Sequence, residues 1–117
     1  MSDCIFCKFV SKEQEVEMIY ESDNFFAIND VNPKAKGHCL IISKKHYATL
    51  LDMPTTLGGE LVNAIKEVIA KKMKEDSSIK GFNVMQNNFK VAGQVVPHLH
   101  FHILPRREND GKEHYCV

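Results

Sequence analysis

The run His98-Leu99-His100-Phe101-His102 alternates imidazole with hydrocarbon at every step. On a helix, residues two apart point about 200° away from each other, so the three rings would scatter. On a strand they share one face, and Leu99, Phe101 and Ile103 share the other. The alternation therefore demands a sheet with one face turned to a hydrophobic core and one carrying a row of ring nitrogens. Three chemistries fit such a row. It is a solvated strand face, a metal site, or a centre for nucleophilic and acid–base catalysis. Zinc or iron would take two of the histidines, but a catalytic metal wants a further ligand nearby, and no carboxylate flanks the run. Imidazole is largely uncharged at neutral pH and is a good nucleophile toward phosphorus. Neighbouring imidazoles can bind phosphate and handle protons.

The rest of the chain supplies the framework for that strand. Val16 to Tyr20 and Phe25 to Ile28 read as short strands, split by the turn formers Ser22-Asp23-Asn24. Asp30 to Gly37 reads as a loop, and His38 to Ser43 as a buried strand headed by a histidine. A helix is expected from about Pro54 to Glu75, with Leu61, Ile65, Val68, Ile69 and Met73 on one face and Gly58 and Gly59 weakening its first turn. Phe82 to Gln86 is a strand, Asn87 to Gly93 a polar turn, and Val95 to Leu104 a strand ended by Pro105. Strands, one long helix, then strands again predict an α+β domain with a largely antiparallel sheet. At 117 residues the chain is one domain, small enough that a metal staple or a partner subunit would help its stability.

Acidic and basic residues balance at 15 each, which gives no bulk reason to bind nucleic acid or membranes. The longest apolar run of the histidine-headed strand is far too short to span a bilayer. Met1-Ser2-Asp3-Cys4 lacks the basic and apolar regions of a signal peptide, so a soluble cytoplasmic protein is expected, with nuclear presence if the source is a eukaryote. Four cysteines in that compartment read as thiols or metal ligands. Cys4 and Cys7 have the C-x-x-C spacing of a metal-binding or redox pair, and the thioredoxin-like context of a redox pair is absent. Cys39 reads as core and Cys116 as a tail residue.

Gly93-Gln94-Val95-Val96-Pro97-His98-Leu99-His100-Phe101-His102-Ile103-Leu104-Pro105-Arg106 resembles the signature of the histidine triad (HIT) family. Cys4-Ile5-Phe6-Cys7, Asn29 to Pro33, Lys36 to Ile42, Lys44-Lys45-His46 and Asn87 are similar to family segments in the same order. The resemblance runs from Cys4 to Arg106 within a single domain, residues 1–117, with the triad motif at 98–104 and a short tail at 106–117. It implies a HIT-like fold: an antiparallel five-stranded sheet with one long helix and a short N-terminal helix.

The resemblance also implies a chemistry. His100 would attack the α-phosphorus of a purine nucleotide, and water would release AMP or GMP from the nucleotidyl-histidine. His102 would contact the phosphate and His38 would orient the triad. Gln94, beside Gly93, would hold the leaving-group side of the phosphate, and Asn87 its edge or the sugar. Asp30 would accept from the ribose hydroxyls, while Phe6, Phe26, Ile28 and Val31 would wall the base. Asp30 can equally shape the turn before Pro33, Asn87 can be a plain turn residue, and His38 a satisfied core histidine. Val95 stands where many members carry a Ser or Thr hydroxyl aimed at phosphate. The implied substrates are purine nucleoside 5′-phosphoramidates or related adenylates. Dinucleoside polyphosphate hydrolysis and nucleotidyl transfer are the alternatives within the family, and a nucleotide-binding interaction module with little turnover is one from outside it. A homodimer with the long helix near the interface is implied, as is a structural Zn2+ on Cys4, Cys7, His46 and His98, with no organic cofactor.

Overall fold

A computed structural model describes residues 3–111. The tail residues 112–117, Cys116 among them, lie outside the described residues. The elements in chain order are α1 (Ile5–Ser11), β1 (Tyr20–Glu21), β2 (Phe25–Asn29), β3 (Cys39–Ser43), α2 (Gly58–Glu75), β4 (Gly81–Met85) and β5 (His100–Arg106). The five strands form one sheet in the order β1-β2-β3-β5-β4, with every neighbouring pair antiparallel. This is the α+β fold expected from the sequence, with one long helix and a short N-terminal one.

Residues paired across a ladder share a face, so the register sorts the side chains. Phe25, Ala27, Cys39, Ile41, Phe101 and Ile103 turn to one face, where Leu61, Ala64, Val68 and Ile69 of α2 cover them. Cys39 is fully buried there, and burial pushes its thiol up to about 11. Phe26, Ile28, Leu40 and Ile42 turn to the opposite face and pack with Phe6 of α1. His100 lies directly across from Ile42 and His102 across from Leu40, so the histidine row borders this second, smaller core.

Three expected boundaries move. The segment from Val16 forms a ladder only at Tyr20–Glu21, because Val16 and Met18 pack instead into the second core. The helix begins at Gly58, and Thr55–Leu57 before it is a 3-10 turn. The last strand begins at His100 rather than Val95 and runs through Pro105. Pairing with β3 ends at Ile103, so Pro105 is flanked by β4 alone, the edge position a proline tolerates. Gly37, at φ +90°, lies against this proline; a Cβ there would meet Pro105 Cγ at 3.2 Å.

Candidate functional site

Backbone groups set the tautomer of each triad ring. A carbonyl can only accept, so His98 Nε2–H donates to the Ser43 carbonyl at 2.7 Å, leaving Nδ1 with a bare lone pair. His100 Nδ1–H donates to the His98 carbonyl at 2.7 Å, leaving Nε2 with one. The Lys34 backbone N–H donates to His38 Nδ1 at 3.1 Å, so the proton of His38 sits on Nε2 and passes a hydrogen bond to His102 Nδ1 at 2.9 Å. His102 then keeps its own proton on Nε2. Burial holds all four rings neutral. It lowers His38 and His100 and takes His98 and His102 down to about 4, the last with help from the neighbouring His100 and His38.

An open cavity of about 240 Å³ exposes the result. His38, His100 and His102 line it with Asp30, Lys34, Asn87 and Gly93. It therefore offers a nucleophilic nitrogen on His100 and an N–H donor on His102. Lys34 is the only lysine or arginine among the lining residues. Asp30 shapes the turn and also faces His38. Its Oδ1 accepts from the Asn32 N–H at 2.8 Å, shaping the turn, and its Oδ2 lies 3.5 Å from His38 Nε2.

Not every expected residue reaches the cavity. The Gln94 amide is buried and bonded to backbone at both ends: Oε1 accepts from the Phe89 N–H at 2.7 Å, and Nε2 donates to the Ala48 carbonyl at 2.6 Å. It braces the loop instead of facing the histidines. Phe6, Phe26 and Ile28 are buried together in the second core, with Phe6 edge-on to His100, and none of the three is among the residues lining the cavity. Val31 is 89% exposed and stands apart from the cavity lining. The sequence reading missed Lys34 and Ser43. The Ser43 carbonyl and the Lys34 N–H act through the backbone, which residue type does not reveal, and Lys34 is also among the residues lining the cavity.

On the other side of His98 lies a second cluster. Cys4 Sγ is 3.2 Å from His98 Nδ1, Cys7 Sγ is 3.1 Å from His46 Nδ1, and the two Nδ1 atoms are 3.0 Å apart. All four ligand atoms lie within 4.8 Å of one another. With bonds of about 2.3 Å to sulfur and 2.0–2.1 Å to nitrogen, a tetrahedral zinc sets ligand separations of about 3.3–3.8 Å. The cluster fits that geometry after small adjustments, and His98 already presents its unprotonated nitrogen. Phe6, between the two cysteines in sequence, sets its ring edge-on to both His98 and His100, with centroids 5.6 and 5.1 Å away. Asp30, His38 and His102 also group closely, but their nitrogens are engaged with each other.

Fold and site together define an antiparallel α+β domain with a histidine-lined cleft beside a Cys2His2 cluster. Residues 11–109 match the HIT domain family, and the chain belongs to it. It is 44% identical over 114 residues to an uncharacterised HIT-like protein of Methanocaldococcus jannaschii, covering 93% of this chain and 83% of that one. It is 41% identical to an adenylylsulfatase of Arabidopsis thaliana, over 93% of this chain and 55% of the relative. An adenosine 5′-monophosphoramidase of Saccharomyces cerevisiae is also 41% identical, over 90% of this chain and 63% of the relative. The chain thus spans less than two thirds of the length of each of these two relatives. Among solved structures, a zinc-bound histidine triad family protein of Mycobacterium smegmatis superposes with a TM-score of 0.82 at 36% identity, over 92% of this chain and 78% of that one.

Proposed function

We propose that the chain hydrolyses purine nucleoside 5′-phosphoramidates and related adenylates through a nucleotidyl group carried on His100. The observation that carries this reading is the state of the His100 ring: Nδ1–H is held by the His98 carbonyl, the ring is neutral, and Nε2 is left with its lone pair. Such an imidazole attacks phosphorus and splits one hard displacement into two easier ones. Nε2 bonds to the α-phosphorus as the bond to the leaving amine breaks, and the amine takes its proton from solvent at the open mouth. His102 Nε2–H and the Lys34 ammonium bind the phosphoryl oxygens. Water then attacks the same phosphorus, the P–Nε2 bond breaks, and the nucleoside monophosphate leaves. The water's proton balances the one taken by the amine.

Asp30 receives the ribose hydroxyls, and the Phe6–Ile28 side receives the base. Asn87 and Gly93 border the phosphate. The names of the Saccharomyces and Arabidopsis relatives support the choice of substrate, since both describe release of an adenylyl group from a small leaving group.

A structural Zn2+ on Cys4, Cys7, His46 and His98 completes the reading. When bound, it cross-links the N-terminal segment to the sheet; four protein ligands leave it no open position for catalysis. A homodimer is supported by the uncovered apolar surface on the α2 side. Phe82 and Val84 of the edge strand β4 are 44% and 45% exposed there, and Val62 and Met73 lie exposed along α2. Among the described residues, no helix is long and apolar enough to cross a membrane.

Mixing the protein with adenosine phosphoramidate should yield AMP, and His100→Ala should abolish it; full activity in that variant would remove the mechanism. Diadenosine tri- and tetraphosphate in the same assay separate the dinucleotide reaction by its leaving group. Purified protein should carry one zinc, and Cys4→Ser should lose it. Unchanged zinc content in that variant would take Cys4 out of the ligand set.

A further inference from the structure

The two formal charges that line the catalytic cavity, Asp30 and Lys34, sit on the loop between β2 and β3. Residues 31–37 of that loop belong to neither core, and most of them are exposed. Behind it lies an open groove of about 320 Å³, lined by Pro33, Lys36 and Gly37 of the loop and by Lys72, Asp76 and Arg107 of the elements opposite. Hydrocarbon packing therefore does not fix this loop, and discrete contacts must.

Arg107, just past β5, bonds to the tip of the loop. There the His38 N–H donates to the Ala35 carbonyl at 2.9 Å and closes a turn with Lys36 and Gly37 at its centre. Gly37 has φ +90° while Lys36 is not among the residues of positive φ, the combination of a type II turn. In that turn the central carbonyl, which belongs to Lys36, points opposite to its direction in a type I turn. Arg107 Nη1 donates to this carbonyl at 2.9 Å. Its other nitrogens are fixed as well. Nη2 donates to Asp76 Oδ2 at 2.8 Å, and Nε donates to the Ser78 hydroxyl at 2.9 Å. The Ser78 hydroxyl and Arg107 hold the Asp76 carboxyl well below the usual carboxylate range, so it stays ionised. The Arg107 side chain is only 18% exposed, and its planar fork joins carbonyl, carboxylate and hydroxyl in one geometry, as an isolated surface ion pair does not.

We propose that Arg107 is a positioning residue for the reaction: it clamps the Ala35–His38 turn, which keeps the Lys34 N–H on His38 Nδ1 and so keeps the His38 proton on Nε2, directed at His102. The consequence for rate rests on the His100 reading above. Arg107 is not among the residues lining the cavity, so it acts through the loop. The turn separates the donor from the ring it serves, since Lys34 precedes it and His38 ends it. At 3.1 Å that bond is near the long end of the usual range, and a small drift of the loop breaks it. Gly37 makes the clamp necessary, because a glycine lets the central peptide turn either way at little cost. Once the bond is lost, either nitrogen of His38 can carry the proton. With the proton on Nδ1, Nε2 has only a lone pair to offer His102 Nδ1, and His102 no longer keeps its own proton fixed on Nε2.

Two measurements test this. The first reads the rings directly and needs no substrate. NMR of the ring nitrogens shows His38 of the native protein protonated at Nε2 with Nδ1 bare. In Arg107→Ala the two tautomers interconvert, and the Lys34 N–H exchanges with solvent roughly tenfold faster, while the Ile41 and Phe101 amides of the sheet keep their native rates. Asp76→Asn removes one end of the clamp and acts in the same direction more weakly. A His38 ring unchanged in both variants overturns the proposal whatever the loss of stability, and so does a native ring protonated at Nδ1. The second measurement is a double-mutant cycle on AMP release from adenosine phosphoramidate. Arg107→Ala lowers kcat roughly tenfold with little change in KM, and it adds no further loss to His38→Ala. An equal loss with and without His38 means that Arg107 acts elsewhere and overturns the proposal. If the native protein releases no AMP, the His100 reading falls and the ring spectra decide the clamp alone.

Discussion

Replacing Phe6 with alanine probes how the nucleophile is held. The α1 helix has only seven residues, far too few to be stable alone, and Phe6 is its one buried residue. The ring packs with Phe26, Ile28, Leu40 and Ile42 and sets its edge against His98 and His100. Truncating a buried Phe to Ala costs about 3–5 kcal/mol, of which each aromatic pair accounts for about 0.5–1.5 kcal/mol. A domain of this size has a total stability of roughly 6–18 kcal/mol, so the variant should remain folded. The void opens beside the His100 ring, however, and misplacement of a reacting group by about 1 Å costs on the order of a hundredfold in rate. Urea denaturation should show the midpoint falling by an amount equal to about 3 kcal/mol, with an unchanged slope. Single-turnover AMP release should slow by about ten- to a hundredfold at full occupancy. A stability loss below about 1 kcal/mol would mean that Phe6 does not hold α1. Full stability loss with a native single-turnover rate would mean that it does not position His100.

Three further outcomes are expected. His38→Ala removes the donor to His102 Nδ1 and one of the neighbours that lower the His102 pKa; His102 should titrate above about 4 by NMR, and kcat should fall more than KM changes. Glu60 accepts from Asn24 Nδ2, the Asn24 N–H and Ser22 Oγ, and these hydrogen bonds, Asn24's first, lower its pKa below 4.5. A carboxylate with a depressed folded pKa stabilises fully above its unfolded value and loses that contribution as pH falls through the folded one. Glu60→Gln should therefore lower the urea midpoint at pH 7, and the difference should shrink as pH falls below 4.5. Gly93 sits at φ +91°, and a Cβ there meets only Asn87 Nδ2 at 3.6 Å, so Gly93→Ala should cost about 1–2 kcal/mol through the backbone alone, read by thermal unfolding.

The sheet was legible because alternation and side-chain type speak together. Phe101 and Ile103 face the large core and His100 and His102 the other side, as the period of two requires. Boundaries were less legible, since a strand ends where its neighbour does. Nothing local marks that β3 stops pairing at Ile42 opposite His100, or that Val16 and Met18 leave the sheet for a second core. The Cys4, Cys7, His46 and His98 cluster came from the family resemblance, and the fold brings those four residues together across 94 positions of sequence separation. Gln94 shows the limit of residue type. Its amide chemistry suits phosphate and backbone equally, and only the loop geometry decides for Phe89 and Ala48. The tautomers depend on the Ser43 and His98 carbonyls and the Lys34 N–H, groups that every residue type but one can offer equally.

The most direct test of the central claim is rapid acid-free quenching of the protein during turnover of adenosine phosphoramidate, followed by peptide mass spectrometry. The account predicts an adenylyl group on the peptide containing the triad, attached at His100, that forms and decays at the rate of AMP release and is absent from His100→Ala. An adduct on His98 or His102, or AMP released at the native rate with no adduct at any histidine, would contradict it.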